Sequence, residues 1–446
     1  MAATQTDLTV GRVPQMLLRY AAPVITSSLL QAVYSLVDML VVSHLLGSAG
    51  ASGVSNAAQV TTLVSQIAIG LSNGGAILAG QYFGRKDKAG QEETIGTFFT
   101  LFLLLGALAA LGCWLAAGPF LTFMGAPAFP EAYAYLRIST LGFFFVFLYN
   151  AMSSVLRAVG NSRRPMYFVL AGVSLNIVLD LICVGPLRMG TAGAALATVI
   201  SQALSAGLAL IYLLSHRDIF SFAPGLLRLR LRRVRMILKL GIPCAIQMTV
   251  AGISWLVVTY QINDFGTVIS AASAYAVRIS DLCKMFITSL SAAASAMIAQ
   301  NLGIQKYDRA REVMYTAMKM AMGISLVLIL LVEVSAPMLV RVFTQDQEAI
   351  AYAVLNLRIE VVGQIFYACF LIYHSLMTGA GHTWWVMFSS FVNCILFRVA
   401  LTLLFNQVLG MGVTGVYLGC AIAPATSIPV GWYYTRSTRW RRSLAG

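Results

Sequence analysis

The chain has 446 residues, of which 59% are hydrophobic and only 10% charged, with a formal net charge of +14. Soluble domains carry about 25% charged residues, so this composition excludes an ordinary soluble globular protein. Nucleic acid is not the partner that the positive charge points to, because most basic residues lie in short loops on alternate sides of apolar segments, as membrane topology signals do.

Apolar runs of about 18 residues or more recur along the whole chain and predict an all-α polytopic membrane protein. In chain order, twelve spans are predicted at 16–43, 54–80, 94–117, 133–158, 165–186, 191–214, 236–262, 268–298, 313–337, 352–379, 384–407 and 412–434. The polar arm before span one, MAATQTDLTVGRVPQ, lacks the apolar core and small-residue cleavage site of a signal peptide. Between spans six and seven runs LLRLRLRRVRMILK (226–239), read as an amphipathic linker that also fixes topology. A contact with anionic lipid is its functional alternative. The organisation expected is an N-terminal six-helix lobe (1–215), a cytoplasmic basic linker (216–235) and a C-terminal six-helix lobe (236–446).

With these spans, 21 basic residues fall on one side of the bilayer and only Arg188 and Arg341 on the other. Both termini are therefore expected in the cytoplasm, in a cell's inner membrane. The seven cysteines are scattered through apolar segments without metal-ligand spacing and read as small buried residues.

The halves repeat one another at an offset of about 220 residues. APVI (22–25) faces IPCA (242–245), so Pro23 and Pro243 correspond. GQYFG (80–84) faces AQNLG (299–303), YLRISTLG (135–142) faces NLRIEVVG (356–363), RAVGNS (157–162) faces TGAGHT (378–383) and MGTAG (189–193) faces MGVTG (411–415). Each half holds an even number of spans, so both insert with the same topology about a pseudo-twofold axis along the membrane normal. That predicts two lobes around a central cleft, and alternating access by rocking lobes.

Six segments carry a resemblance: VDMLVVSHLLG (37–47), GQYFGRKDKA (80–89), LRAVGNSRRPM (156–166), SLNIVLDLICVG (174–185), GTAGAALATVISQ (190–202) and AQNLGIQKYDRARE (299–312). Together, in order, on twelve spans, they resemble the multidrug and toxic compound extrusion (MATE) transporters, closest to the DinF-like branch. The resemblance implies cation-coupled antiport of amphipathic, often cationic, organic compounds out of the cytoplasm.

A carboxylate inside a bilayer is expensive and marks function by default. Asp38 lies in span one and Asp180 in span five; Asn176 lies four residues before Asp180 and shares its helix face. In the resembling branch, the positions matching Asp38, Asn176, Asp180, Thr198 and Tyr135 form a polar pocket in the N-terminal lobe. Such oxygens can coordinate Na⁺ at Asp38, Asn176, Asp180 and Thr198. Two neighbouring carboxylates that resist ionising together can instead hold a proton. Arg137 and Arg157 are the candidate partners if the acids are merely structural. The resemblance also implies that span one bends at Pro23 with the state of the aspartate.

The second half departs from the branch of the family that places acids in spans seven and ten. Span seven has Gln247 but no acid, and span ten has only Glu360, beside Arg358. Arg358 and Arg398 are expected to form structural ion pairs with Glu360 or to bind backbone carbonyls. Asp281 and Lys284, three residues apart, are expected to neutralise one another. His374 is expected to be a hydrogen-bonded packing residue. Aromatic and methionine side chains, among them Phe143, Phe144, Phe145, Tyr149, Met285, Phe286, Tyr367 and Tyr373, are candidates to line the cleft.

No GxxxxGK[ST] motif occurs, so an ion gradient and not ATP is the expected energy source. No HExxH or GxSxG set occurs, so no enzyme activity is expected, and no cofactor beyond the coupling ion, H⁺ or Na⁺. Expected partners are small organic substrates and the bilayer, with the chain monomeric. The rival reading is a lipid-linked oligosaccharide or lipid flippase of the same superfamily, kept open by Arg137, Arg157, Arg278 and Arg398.

Overall fold

A computed structural model of the chain describes residues 7–123, 129–223 and 225–441, without the side chains of 35–52, 55, 56 and 123. Among the described residues, twelve helical stretches are long and apolar enough to cross a membrane, and each overlaps one predicted span. Helix is the form such runs must take, because lipid offers no hydrogen bond to an unpaired backbone.

Helix α1 (Val13–Arg85) carries the first two spans, Val13–Tyr34 and Ala57–Arg85. The turn expected between them, at 44–53, is not found: α1 runs through that stretch as continuous helix, without described side chains at 44–52. Then follow α2 (Lys88–Phe123), α3 (Phe129–Ala158), α4 (Arg163–Val184), α5 (Gly190–Ser215), α6 (Leu231–Asn263), α7 (Thr267–Gly303), α8 (Tyr307–Arg341) and α9 (Gln347–Gly379). Span eleven is composite: α10 (Thr383–Phe391), a π-helical turn Val392–Arg398, α11 (Val399–Leu403) and a second π turn Leu404–Val408. Span twelve joins α12 (Gly412–Ile422) and α13 (Ile428–Arg436) through a 3₁₀ turn at Ala423–Ser427.

The chain forms two compact units. Thr26–Ala245 makes up nearly all of one; Leu8–Ile25 and Ile246–Gly446 make up the other. Helix ends are thus exchanged between the halves of the sequence. The opening of span one belongs with the second unit, and the opening of α6 with the first. Pro23 and Pro243 each stand two residues inside that change.

The internal repeat is written in the backbone. Lys86 and Gln305 both take positive φ (58° and 60°), as do Gly160 and Gly381 (86° and 80°), and Gly190 and Gly412 (62° and 58°). The turn bonds repeat as well: Asp87 N to Tyr82 O with Lys306 N to Asn301 O, Asn161 N to Leu156 O with His382 N to Met377 O, and Met189 N to Cys183 O with Met411 N to Phe405 O. The shift between halves is 219 residues at the first pair, 221 at the second and 222 at the third. Span eleven therefore holds one residue more than span five, which a π turn such as Val392–Arg398 absorbs.

Close helix approach explains the glycine spacing of span twelve. A methyl group at Gly419 would lie 2.7 Å from the Thr402 nitrogen, and one at Gly415 would lie 2.7 Å from the Phe405 carbonyl carbon. This is the small-xxx-small packing that membrane helices use. Gly419→Leu is expected to destabilise the fold by about 2 kcal/mol or more, by overpacking against backbone. Gly323, with nothing within 4 Å, is the control: Gly323→Leu should leave the melting temperature in detergent nearly unchanged.

The GQYFG and AQNLG segments and the helix starts that follow them hold the arms that precede spans seven and one. In the second unit, Leu8 N donates to Gln300 Oε1 at 3.0 Å, and Asn301 Nδ2 donates to the Leu8 carbonyl at 3.3 Å. Lys306 and Arg309 close over the carbonyls of Thr9 and Gly11. In the first unit, Gln91 and Thr97 bind the carbonyls of Ile219 and Arg228, and Lys88 binds that of Asp218. Arg230 and Arg233 clasp Glu93 at 2.6 and 3.0 Å, with Arg233 also over the Tyr82 ring. Two arginines of the basic run are thereby engaged within the protein.

Candidate functional site

Helices α4 and α5 cross closely. Gly172 leaves room for Ser205, whose hydroxyl donates to the Phe168 carbonyl at 3.1 Å. One turn along α4 stands Asn176, and one turn further Asp180; they are 2% and 1% exposed. The crossing brings Thr198 of α5 against them. With its amide assigned to satisfy both neighbours, Asn176 donates to Asp180 Oδ2 at 2.8 Å and accepts from the Thr198 backbone nitrogen at 3.2 Å. The Thr198 hydroxyl donates to the Ala194 carbonyl at 3.0 Å. Tyr135 is buried in an apolar cluster with Val184 and Ala194, which lie one helical turn from Asp180 and Thr198 respectively.

Asp38 belongs to α1, and its side chain lies outside the described residues. A residue of the same helix, four positions earlier, was not anticipated: the Tyr34 hydroxyl stands 3.5 Å from Thr198 Oγ1. The fourfold spacing from Asp38 was the available signal. Arg137, a candidate structural partner for the acids, instead stacks on Trp114 at 4.6 Å. Arg157 donates to Ser153 Oγ at 2.5 Å.

The arrangement has a chemical logic. An amide beside a carboxyl group serves both of its protonation states. Its NH₂ donates to a carboxylate; turned over, its carbonyl accepts from a carboxylic acid. Carboxyl, amide and hydroxyl oxygens are also hard donors of the kind Na⁺ takes, so the residues fit either ion.

Two separate stretches, 23–182 and 243–404, match the MatE family model, one in each half of the chain. The chain belongs to the MatE family. The MatE protein is similar to the probable multidrug resistance protein YpnP of Bacillus subtilis (strain 168), 28% identical over 444 residues, covering 98% of this chain and 97% of that one. It is 27% identical over 418 residues to the probable multidrug resistance protein YoeA of the same organism, covering 92% and 90%. A solved structure described as the outward-facing conformation of a multidrug resistance MATE family transporter of the MOP superfamily superposes with a TM-score of 0.92 over 98% of both chains, at 22% identity. That agreement shows the shared fold.

The second half of the MatE protein corrects several expectations. Glu360 pairs with Lys284 of α7 at 3.1 Å, not with Arg358. Arg358 instead meets the Glu333 carboxylate of α8 at 3.1 Å and also donates to that residue's carbonyl. Residues two apart on a helix point to different sides, so neighbours in sequence were not neighbours in space. Lys284 also faces Asp281 at 3.7 Å, as the three-residue spacing predicts. His374 is buried against Phe370, ring centroids 4.1 Å apart, with neither ring nitrogen hydrogen-bonded among the described residues. It packs, but it is not the hydrogen-bonded histidine expected. Arg398 makes neither the ion pair nor the carbonyl contact expected of it among the described residues. The seven cysteines are all free.

Proposed function

We propose that this MatE protein is a secondary active antiporter of the inner membrane that exports amphipathic, cationic organic compounds in exchange for H⁺ or Na⁺ by alternating access. The observation that carries the reading is the buried Asn176–Asp180–Thr198 constellation, a carboxyl group held by an amide inside a membrane-spanning bundle. The names of its relatives, multidrug resistance proteins, support the substrate class. A bare carboxylate is costly there, and the cost vanishes when it holds a proton or a cation. Entry and exit of the ion at Asp38, Asn176, Asp180, Thr198 and Tyr135 therefore change the free energy of the pocket. Pro23 is the hinge through which that change reaches the rest of span one. A proline removes one helical hydrogen bond, and this one stands where α1 leaves one compact unit for the other.

The test is dye efflux from proteoliposomes, with proton and sodium gradients imposed separately. One gradient alone should drive ethidium against its own gradient. Asp38→Asn should abolish that drive, and Pro23→Ala should slow efflux while leaving dye binding intact. Efflux by Asp38→Asn at the wild-type rate, or efflux that ignores both gradients, would overturn the reading.

A further inference from the structure

The pocket around Asp180 has a counterpart in the other half of the chain, and its charge is reversed. At the 222-residue shift fixed by Met189 and Met411, Asp180 corresponds to Thr402, Asn176 to Arg398 and Thr198 to Cys420. Where the first half has an acid beside an amide, the second has a guanidinium beside a hydroxyl. Thr402 is already engaged, accepting from Gln261 Nε2 at 3.1 Å. Arg398 is not. Its Nε is buried without a hydrogen-bond partner, and no carboxylate lies within 4 Å of it among the described residues. It closes the π turn Val392–Arg398, the one-residue insertion that distinguishes this helix from α4. Turns of that kind concentrate at functional sites.

Two cations share one aromatic ring beside this turn. The guanidinium carbon of Arg398 stands 6.0 Å from the Trp255 ring centroid, and Lys284 Nζ stands 5.9 Å from the same ring. Lys284 is shared between Glu360 and Asp281, so with Arg398 the two carboxylates and the two cations balance, and Arg398 is the cation of the pair whose donors form no hydrogen bond among the described residues. On the face of α9 that carries Glu360, both amide atoms of Gln364 are buried without an oxygen or nitrogen partner, as is Asn356 Oδ1. The cluster is not sealed, since the Asp281 side chain is 61% exposed and that of Lys284 25%.

We infer that Arg398, Trp255 and Gln364 form a binding site for an aromatic carboxylate. A guanidinium fork matches a carboxylate in two parallel hydrogen bonds. The indole offers a flat face for the aromatic part, and the Gln364 amide offers a further donor. Because the two carboxylates and two cations of the cluster already balance, a monoanion adds one uncompensated negative charge and a dianion such as phosphate two, which disfavours the dianion. The site is separate from the antiport reading: it concerns equilibrium binding with no gradient imposed, so failure of gradient-driven dye efflux leaves it untouched.

The test uses the full chain in detergent micelles, titrated calorimetrically with 1-naphthoate and with its cationic twin, 1-naphthylmethylammonium. Naphthoate should bind saturably. Arg398→Gln should weaken it at least ten-fold and Arg398→Lys less, with the cation's binding unchanged by either. A second measurement needs no variant: modification of Arg398 by phenylglyoxal, mapped by mass spectrometry, should slow at least five-fold with saturating naphthoate and not with the cation. Unchanged naphthoate affinity in Arg398→Gln, equal effects on both probes, or no protection of Arg398 in the wild-type chain would each overturn the inference.

Discussion

Asp180→Asn is expected to reduce gradient-driven dye efflux at least ten-fold while leaving the fold and the dye's equilibrium binding in place. The substitution preserves shape and removes only the ability to carry charge. The Asn176 amide, 2.8 Å from Asp180 Oδ2, can turn over to meet either end of the new side chain. Coupling is then lost because the pocket no longer has two states of different cost. Asp180→Ala should behave differently. It removes the partner of a buried amide, and that costs about 1–3 kcal/mol of stability in addition to the loss of coupling. Efflux assays paired with melting curves separate the two variants. An Asp180→Asn protein that retains half of the wild-type coupled rate would move the coupling step elsewhere.

Removing Glu360 is expected to be among the most destabilising single changes in the second half. Glu360 is 7% exposed and holds Lys284 at 3.1 Å. Breaking a buried pair from one side typically costs about 3–5 kcal/mol, because the other charge stays buried alone. Asp281, at 3.7 Å from Lys284, softens the loss and places Glu360→Leu near the lower end of that range. The double variant Lys284→Met with Glu360→Leu should recover most of the stability, since well-packed apolar groups replace such pairs at little cost. Melting temperatures of the two single variants and the double variant check this. A double variant no more stable than Glu360→Leu would mean that the pair does more than neutralise itself.

What the sequence made legible follows from the range of each interaction. The spans were readable because a bilayer demands long apolar runs, and each of the twelve is there. The duplication was readable because turns between spans need special backbone, and glycines such as Gly160 and Gly381 keep it. The pairing of Asn176 with Asp180 was readable from one helical turn of spacing, and Thr198 from resemblance. Contacts across distant helices were not. Glu360 and Lys284 are 76 residues apart, and nothing local distinguishes that pairing from the nearer Arg358. The role of Arg398 depends on a one-residue insertion in span eleven, visible only once the turns on either side are superposed.

The exchange of helix ends constrains the order in which the protein can be made. One compact unit contains Thr26–Ala245, so it lacks its last piece until the ribosome has delivered the first turns of α6. The other contains Leu8–Ile25, synthesised before the long stretch of the first unit, and Ile246–Gly446. Leu8 is therefore synthesised long before Gln300 and Asn301, the residues that bind it in the finished structure. Neither half of the gene therefore encodes one of the two units whole. A fusion or split of the chain between spans six and seven would have to supply both fragments to the same membrane.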